Sequence, residues 1–419
     1  GDAVESTIRR TWIATDFCAT ESKAEVTVID ADSLAVPADV TTTVAGSMAV
    51  DHLASGGFSR RIQSGRLTAG SFNDAADPEH FEAFARKRTD RQSPADLENR
   101  FLARPIEIRV KDESGQPMGN VRVRVGIPGP LKAVEAVTRT DGRVIFMPGW
   151  DGLEQDKALE VEFFAKGHSS IRRELPAGST RHEVELPAPS EGAPTRLDLG
   201  FVVDCTGSMS DELEYLKVEV RDIAARIKSR FPEVEQRYGL VVYRDVGDEY
   251  VTRNFDFTPD LKEFHAFLGQ QQATGGGNYE EAVDQALAAA ATLEWRQDNA
   301  TRVLFHIADA PPHAPQTRSA LSSVNRLRAS GVAIYPVASS GVRDEAEFVM
   351  RVEALLTGSH YLFLTDDSGV GNAHAEPHFP YYDVEPLDRL MVRMIASELT
   401  ATPVLADPGD IVRSVGRDR

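Results

Sequence analysis

Between residues 195 and 400, short and nearly unbroken apolar runs alternate with longer stretches of helical period. That alternation restricts the fold more than any other feature of the chain. Residues 197–203 (Leu-Asp-Leu-Gly-Phe-Val-Val) are mostly apolar. In residues 210–231, Leu213, Leu216, Val220, Ile223 and Ile227 step by three and four, which lays one apolar stripe along a helix. The same reading predicts strands at 239–243, 302–307, 333–337 and 361–364, with an edge strand at 249–255. Helices are predicted at 260–268, 279–295, 317–330, 345–356 and 387–399. Apolar strands separated by helices imply an α/β fold, a doubly wound and mainly parallel sheet covered on both faces. Ligands of open sheets bind beyond the carboxyl ends of the strands, so a site belongs just after Val203 and Ile307.

The rest of the chain reads differently. In residues 104–187, Ile106, Ile108 and Val110 alternate with polar partners, as do Val121, Val123 and Val125. Ser114-Gly115 and Asp141-Gly142 are turn dipeptides, the second leading into Val144 and Phe146. With further runs at 159–164 and 182–186, this predicts a small β-sandwich serving as a structural spacer. Residues 188–194 continue from Pro187 as a proline-rich linker, semi-extended and suited to holding two domains apart. Residues 1–103 form an irregular α+β region with apolar patches at 24–29 and 40–44. There Asp77-Pro78 opens a helix through Phe81 and Phe84, and Ser93-Pro94 opens another through Leu97 and Phe101. A scaffold layer is the plain reading, with its polar loops as an alternative binding surface. Residues 401–419 are left as a C-terminal tail.

Composition narrows the function. At 41% hydrophobic and 26% charged the chain is ordinary globular material. Against 65 acidic residues stand 46 lysines and arginines, a net charge of −19, which argues against nucleic acid and anionic membrane surfaces as partners. Arg9-Arg10 and Arg60-Arg61 are ordinary surface pairs. No run approaches the ~20 apolar residues of a membrane span. Cys18 and Cys205 are too few for a disulfide framework or a cysteine-rich zinc site. The chain begins with Gly, which fits a processed leader or a trimmed start, and an extracytoplasmic setting (secreted or periplasmic) is the expectation.

After Val203 come Asp204, Thr206 and Ser208, a carboxylate and two hydroxyls at alternate positions of a tight loop. These hard oxygens suit a Mg²⁺-like ion that keeps some of its water. Alternatively, Asp204 and Ser208 cap the following helix, Ser208 and Asp211 being close to capping-box spacing. The strand at 302–307 delivers Asp309 to the same rim, and two carboxylates there repel unless a cation or proton lies between them. Gly275, Gly276 and Gly277 allow close backbone approach, flanked by Thr274 and Asn278 as further oxygen donors, with Asn278 equally placed as a helix cap before Glu281. His313 with the His374/His378 pair offers a zinc alternative, weighed against His306 as a satisfied core residue and 366–385 as a surface loop. In that loop Phe379, Tyr381 and Tyr382 either anchor a partner or pin the loop to its own domain.

Together, Asp204-x-Thr206-x-Ser208, the three-glycine loop and Asp309 resemble the metal-ion-dependent adhesion site of von Willebrand factor type A domains. Residues 195–400 carry the likeness, with Tyr243-Arg244-Asp245-Val246-Gly247-Asp248-Glu249-Tyr250 and the segment from Asp309 to His313 resembling bacterial members. The turns at Asp112–Pro117 and Thr140–Arg143 resemble carboxypeptidase-regulatory and transthyretin-like sandwich modules. The first resemblance implies that Asp204, Thr206 and Ser208 hold Mg²⁺ (or Mn²⁺ or Ca²⁺) directly or through water, with Asp309 in or just behind that shell. Thr206 stands where Ser is commoner, and the middle-loop ligand stays open between Thr274 and Asn278. It further implies an open coordination position that an acidic residue of a protein partner fills. The expected function is divalent-cation-dependent protein binding, in adhesion or assembly, without catalysis. The runner-up is a scaffold with a structural or vestigial ion site. A metal-dependent, haloacid-dehalogenase-type phosphatase would need an acid two residues after Asp204, where Thr206 stands. Neither G-x-S-x-G around Ser208 nor G-x-G-x-x-G after Val203 is present.

Overall fold

The computed structural model describes residues 64–89, 95–126, 133–370 and 373–416, all within the unit Arg60–Arg419. The apolar patches at 24–29 and 40–44, Cys18 and the Ser93-Pro94 pair lie outside the described residues.

The described chain opens with β1 (Thr68–Phe72), α1 (Pro78–Thr89) and α2 (Ala95–Asn99). Next come β2 (Ile106–Asp112), β3 (Arg122–Gly126), β4 (Ala133–Val137), β5 (Arg143–Phe146), α3 (Pro148–Asp151), β6 (Leu159–Phe164), β7 (Ile171–Leu175) and β8 (Arg181–Leu186). Alternating burial along β2 and β8 matches the period-two pattern of their sequences. The strands form two small sheets, β5-β2-β8 and β4-β3-β6-β7. Their inward residues, among them Ile108, Val110, Val123, Val161 and Phe163, close into one apolar cluster. The turn before β5 requires glycine: Gly142 has φ 77°, and a Cβ there would lie 2.3 Å from the carbonyl oxygen of Val110.

The remaining elements alternate as β9 (Arg196–Asp204), α4 (Ser210–Arg230), β10 (Glu235–Tyr243), β11 (Thr252–Thr258), α5 (Leu261–Gly269), α6 (Val283–Ala290) and β12 (Ala300–Ala308). Then follow α7 (Thr317–Ala329), β13 (Val332–Ala338), α8 (Asp344–Thr357), β14 (Tyr361–Thr365), β15 (Tyr382–Pro386), α9 (Leu387–Thr400) and β16 (Arg413–Val415). The large sheet has the order β11-β10-β9-β12-β13-β14-β1-β15-β16. Its middle, β10 through β14, is parallel, while β11, β1, β15 and β16 run antiparallel to their neighbours. Successive residues of β9 point to opposite faces. Leu199, Phe201 and Val203 join a cluster under α4, α5 and α9, whereas Val202 joins one under α6, α7 and α8. The stripe from Leu213 to Ile227 is buried as its spacing requires. Asp260 caps α5 by accepting from the amides of Lys262 and Glu263.

Three features differ from the sequence reading. The helix expected at 279–295 is confined to α6, because the preceding residues are drawn into the glycine loop described below. Residues 188–194 do not hold the small sheets and the large sheet apart. Ala188 is buried, Ser190 donates from its amide to Asp112 (3.0 Å) and from its hydroxyl to the carbonyl of Pro117 (2.7 Å). Arg302 also donates twice to the Asn120 side chain, and Arg139 meets Glu398 on α9. Finally, β1 and β16 lie in stretches read as an N-terminal region and a tail, yet both are strands of the large sheet. Arg351, fully buried on α8, holds Asp74 beyond β1 in a two-pronged ion pair, which fixes that strand's exit.

Candidate functional site

β9 ends on Asp204, whose buried carboxylate accepts through Oδ1 from the amide (2.8 Å) and hydroxyl (2.7 Å) of Thr206. The Thr206 hydroxyl lies 3.3 Å from that of Ser208. The Ser208 hydroxyl also approaches Asp309, which follows β12 and is 4% exposed. Helix α4 starts at Ser210 with no side-chain cap, so neither Asp204 nor Ser208 caps it. Oδ2 of Asp204 and Oδ1 of Asp309 are both buried and find no hydrogen-bond partner.

The glycine loop is laced to this turn through its backbone. Thr274 donates its amide to the carbonyl of Cys205 (3.0 Å), and Gly207 donates to that of Gly275 (3.1 Å). Gly275 and Gly276 have φ of 81° and 74°, and the Gly276 amide donates to Asp248 (2.9 Å). A Cβ on Gly276 would lie 3.0 Å from Oε1 of Glu281 and 3.3 Å from Cβ of Thr206. Buried Arg244 staples both loops, donating to the carbonyls of Cys205 (3.1 Å) and Gln272 (2.8 Å). The structure thus brings Asp204, Thr206, Ser208 and Asp309 together. Thr274 and Asn278 stay exposed on the loop. Asn278 is not a cap, since α6 begins at Val283 and the Asn278 amide group bonds Glu280 (3.2 Å).

One residue at this rim escaped the sequence reading as a site group. Glu281 is 3% exposed, its amide donates to the carbonyl of Pro311 (3.0 Å), and its Oε2 has no partner. The available signal was an acid directly before the apolar run Ala282, Val283, Ala286 and Leu287. Behind Asp309, buried Glu212 on α4 accepts from the amide (3.0 Å) and hydroxyl of Ser340.

Burial raises the carboxyl group of Asp204 above the usual range against the hydrogen bonds from Thr206, and burial followed by repulsion from Asp204 raises that of Asp309. Burial and the nearby Asp204, Asp245, Asp309 and Asp248 push Glu281 up to about 9. Burial beside Asp204 takes the Cys205 thiol up to about 12, so this cysteine is inert rather than redox-active. Crowded, unpartnered carboxylate oxygens are relieved by protons or by a cation. Among the described residues no group of three or more His, Cys, Asp and Glu side chains is arranged to hold a metal. A cation here would therefore draw on the hydroxyls of Thr206 and Ser208 as well as on carboxylates, which is the donor chemistry of a hard divalent ion.

The histidines do not converge. His313 pairs with Asp245 (2.7 Å), His374 with Asp366 (2.8 Å) and His378 with Glu347 (2.8 Å), while His306 is buried against Glu353 (2.8 Å). Phe379 stacks on Phe72 at 4.0 Å between centroids, and Tyr381 donates to Asp77 (2.7 Å), so both are turned inward onto β1 and its exit.

A parallel sheet with an acid-and-hydroxyl turn at its strand ends defines a class, and a von Willebrand factor A domain is found at residues 198–358. A domain of this class is an interaction module and in general non-catalytic. The chain is 32% identical over 212 residues to the alpha-protein kinase vwkA of Dictyostelium discoideum, covering 50% of this chain and 31% of that protein. It is 27% identical over 186 residues to the ariadne-like RING finger protein R811 of Acanthamoeba polyphaga mimivirus, covering 40% of this chain and 18% of that one. The chain spans less than a third of the length of these curated relatives. The solved structure of BatB from Bacteroides thetaiotaomicron is matched over 48% of this chain and 98% of that one, with 12% identity and a TM-score of 0.34. No helix among the described residues is long and apolar enough to cross a membrane.

Proposed function

We propose that the rim of the large sheet binds a divalent cation, and that the cation mediates binding of a protein partner in adhesion or assembly. Asp204, Thr206 and Ser208 would hold the ion, with Asp309 in or just behind that shell, and Mg²⁺ or Mn²⁺ suits the donors better than a softer metal. The supporting observation is the pair of buried, partnerless carboxylate oxygens on Asp204 and Asp309. Few anionic ligands leave such an ion with residual positive charge, and an acidic side chain of the partner gains most by displacing one of its waters. The same proposal takes the two small sheets as a carboxypeptidase-regulatory-like β-sandwich acting as spacer, and the domain as one of bacterial type.

Isothermal titration of Mg²⁺, Mn²⁺ and Ca²⁺ into the parent chain and into Asp204→Ala tests the site. Binding by the parent and its loss in the variant is the expected result, and silence with all three ions would end the proposal. A second reading, a scaffold whose ion site is structural or vestigial, is favoured by the exposure of both Thr274 and Asn278. It predicts that no partner is released by chelator, with a cation bound if the site is structural and none if it is vestigial.

A further inference from the structure

β9, β10 and β12 turn Val202, Val241 and Leu304 toward the apolar cluster under α6, α7 and α8. Alternation along each strand then brings Asp204, Tyr243 and His306, two residues further on, to the same face. They are neighbours there: Tyr243 pairs in register with Asp204, and His306 pairs with Val202. Glu353 meets them from α8.

Tyr243, His306 and Glu353 are each no more than 1% exposed. Nδ1 of His306 lies 2.8 Å from Oε2 of Glu353, which leaves Nε2 facing the Tyr243 hydroxyl at 3.4 Å. That hydroxyl in turn approaches the carboxylate of Asp204. A polar chain thus runs from α8 through β12 and β10 to the end of β9. Buried polar groups cost free energy unless they are satisfied, and a network that serves stability alone is best closed on itself. This one is open at both ends: Oε1 of Glu353 at its foot and Oδ2 of Asp204 at its head have no partner. The open head is the rim itself.

We infer that Tyr243 is a positioning residue for the cation, holding the Asp204 carboxylate from beneath while His306, fixed by Glu353, holds Tyr243. The inference rests on the cation reading of the rim and adds what aims its first ligand. Thr206 secures Oδ1 of Asp204 through its amide and hydroxyl. A carboxylate held at one oxygen can still turn about its bond to Cβ. The phenol beneath limits that turn, and so sets where Oδ2 faces. Groups behind a metal ligand act on affinity in this way without touching the metal.

Calorimetric titration of Mn²⁺ into the whole chain tests this with Tyr243→Phe, which keeps the ring and removes only the hydroxyl. Affinity should fall about 10–100-fold. Tyr238→Phe is the control: that tyrosine is buried on the same strand with its ring in the opposite cluster, and affinity should stay at the parent value. Glu353→Gln should weaken binding less, and should add nothing to Tyr243→Phe, because it acts only through the phenol. Should Tyr243→Phe not fold, Glu353→Gln decides alone, lowered affinity supporting the chain of contacts and parental affinity overturning it. A folded Tyr243→Phe chain that binds Mn²⁺ as the parent does, whatever its Tm, overturns the inference and leaves the cation site standing. Losses that simply add in the double variant do the same. If the parent binds no Mn²⁺, the cation reading falls and this inference falls with it.

Discussion

Arg328 on α7 is held by both oxygens of one carboxylate, its terminal nitrogens lying 3.0 and 2.6 Å from Asp151 at the end of α3. Both residues are buried, and Arg328 also donates to the carbonyl of Ile145 on β5 (3.3 Å). The small sheets are therefore bolted to the large one through a charge pair that has given up its water. Removing one member leaves the other buried and unpaired, so Asp151→Ala should cost about 3–5 kcal/mol in a denaturant titration. Asp151→Ala combined with Arg328→Met should recover much of that loss; a double variant as unstable as the single one would show the joint to be held by something else.

Glu281 gives a prediction with two signs. Without cation, the folded chain keeps a proton that the unfolded chain releases, since burial and the surrounding carboxylates push this carboxyl up to about 9 from an ordinary 4.5. Stability should then fall as pH rises through that window, because the folded state binds more protons than the unfolded one. Glu281→Gln should flatten the decline and raise Tm by about 2–4 °C at pH 8. In the parent, saturating Mg²⁺ should flatten it too. Differential scanning fluorimetry across pH 5–9, with and without the ion, reads both effects, and a variant less stable than the parent at pH 8 would contradict them.

Gly276 tests the fit of the loops. Its φ of 74° disfavours any side chain, and a Cβ would press against Glu281 and Thr206 at once. Gly276→Ala should destabilise by about 1–2 kcal/mol from backbone strain and weaken cation affinity as Thr206 is displaced. Gly277, where nothing lies within 4 Å of a Cβ, is the control and should tolerate alanine.

His378 makes the loop before β15 sensitive to pH. Its hydrogen bond to Glu347 raises its pKa above 6.5, against an opposing effect of burial. The anchoring contribution should be complete below pH 6.5 and fade as pH rises through the folded-state value. Hydrogen exchange of residues 373–381 should accordingly be slower at pH 6 than at pH 8.5 after correction for intrinsic rates. His378→Gln should remove that contrast.

Much of this fold could be read from periodicity. The stripe from Leu213 to Ile227, the apolar run at 197–203 and the turn at Asp141-Gly142 each state a local rule that tertiary packing then obeys. Asp204, Thr206, Ser208 and Asp309 were legible for the same reason: they sit where strands end. β1 was not, because five residues, Thr-Ala-Gly-Ser-Phe, carry too short a pattern and pair with strands nearly three hundred positions away. Glu281 was hidden by the helix periodicity around it, although the backbone leaves that helix unformed until Val283. The linker misled because proline content describes stiffness and says nothing about what Ser190 bonds.

The place of β1 bears on how the molecule can be dissected. It lies between β14 and β15, matching β14 residue for residue from Thr68–Thr365 to Phe72–Tyr361. A fragment started at the proline-rich segment would contain both neighbours and lack the strand that joins them. β14 would be left with a bare hydrogen-bonding edge, and such an edge recruits a strand from whatever chain is nearest. For this protein, the borders a linear map suggests are therefore places where cutting manufactures stickiness, and any binding seen with such a fragment would need to be repeated on the whole chain.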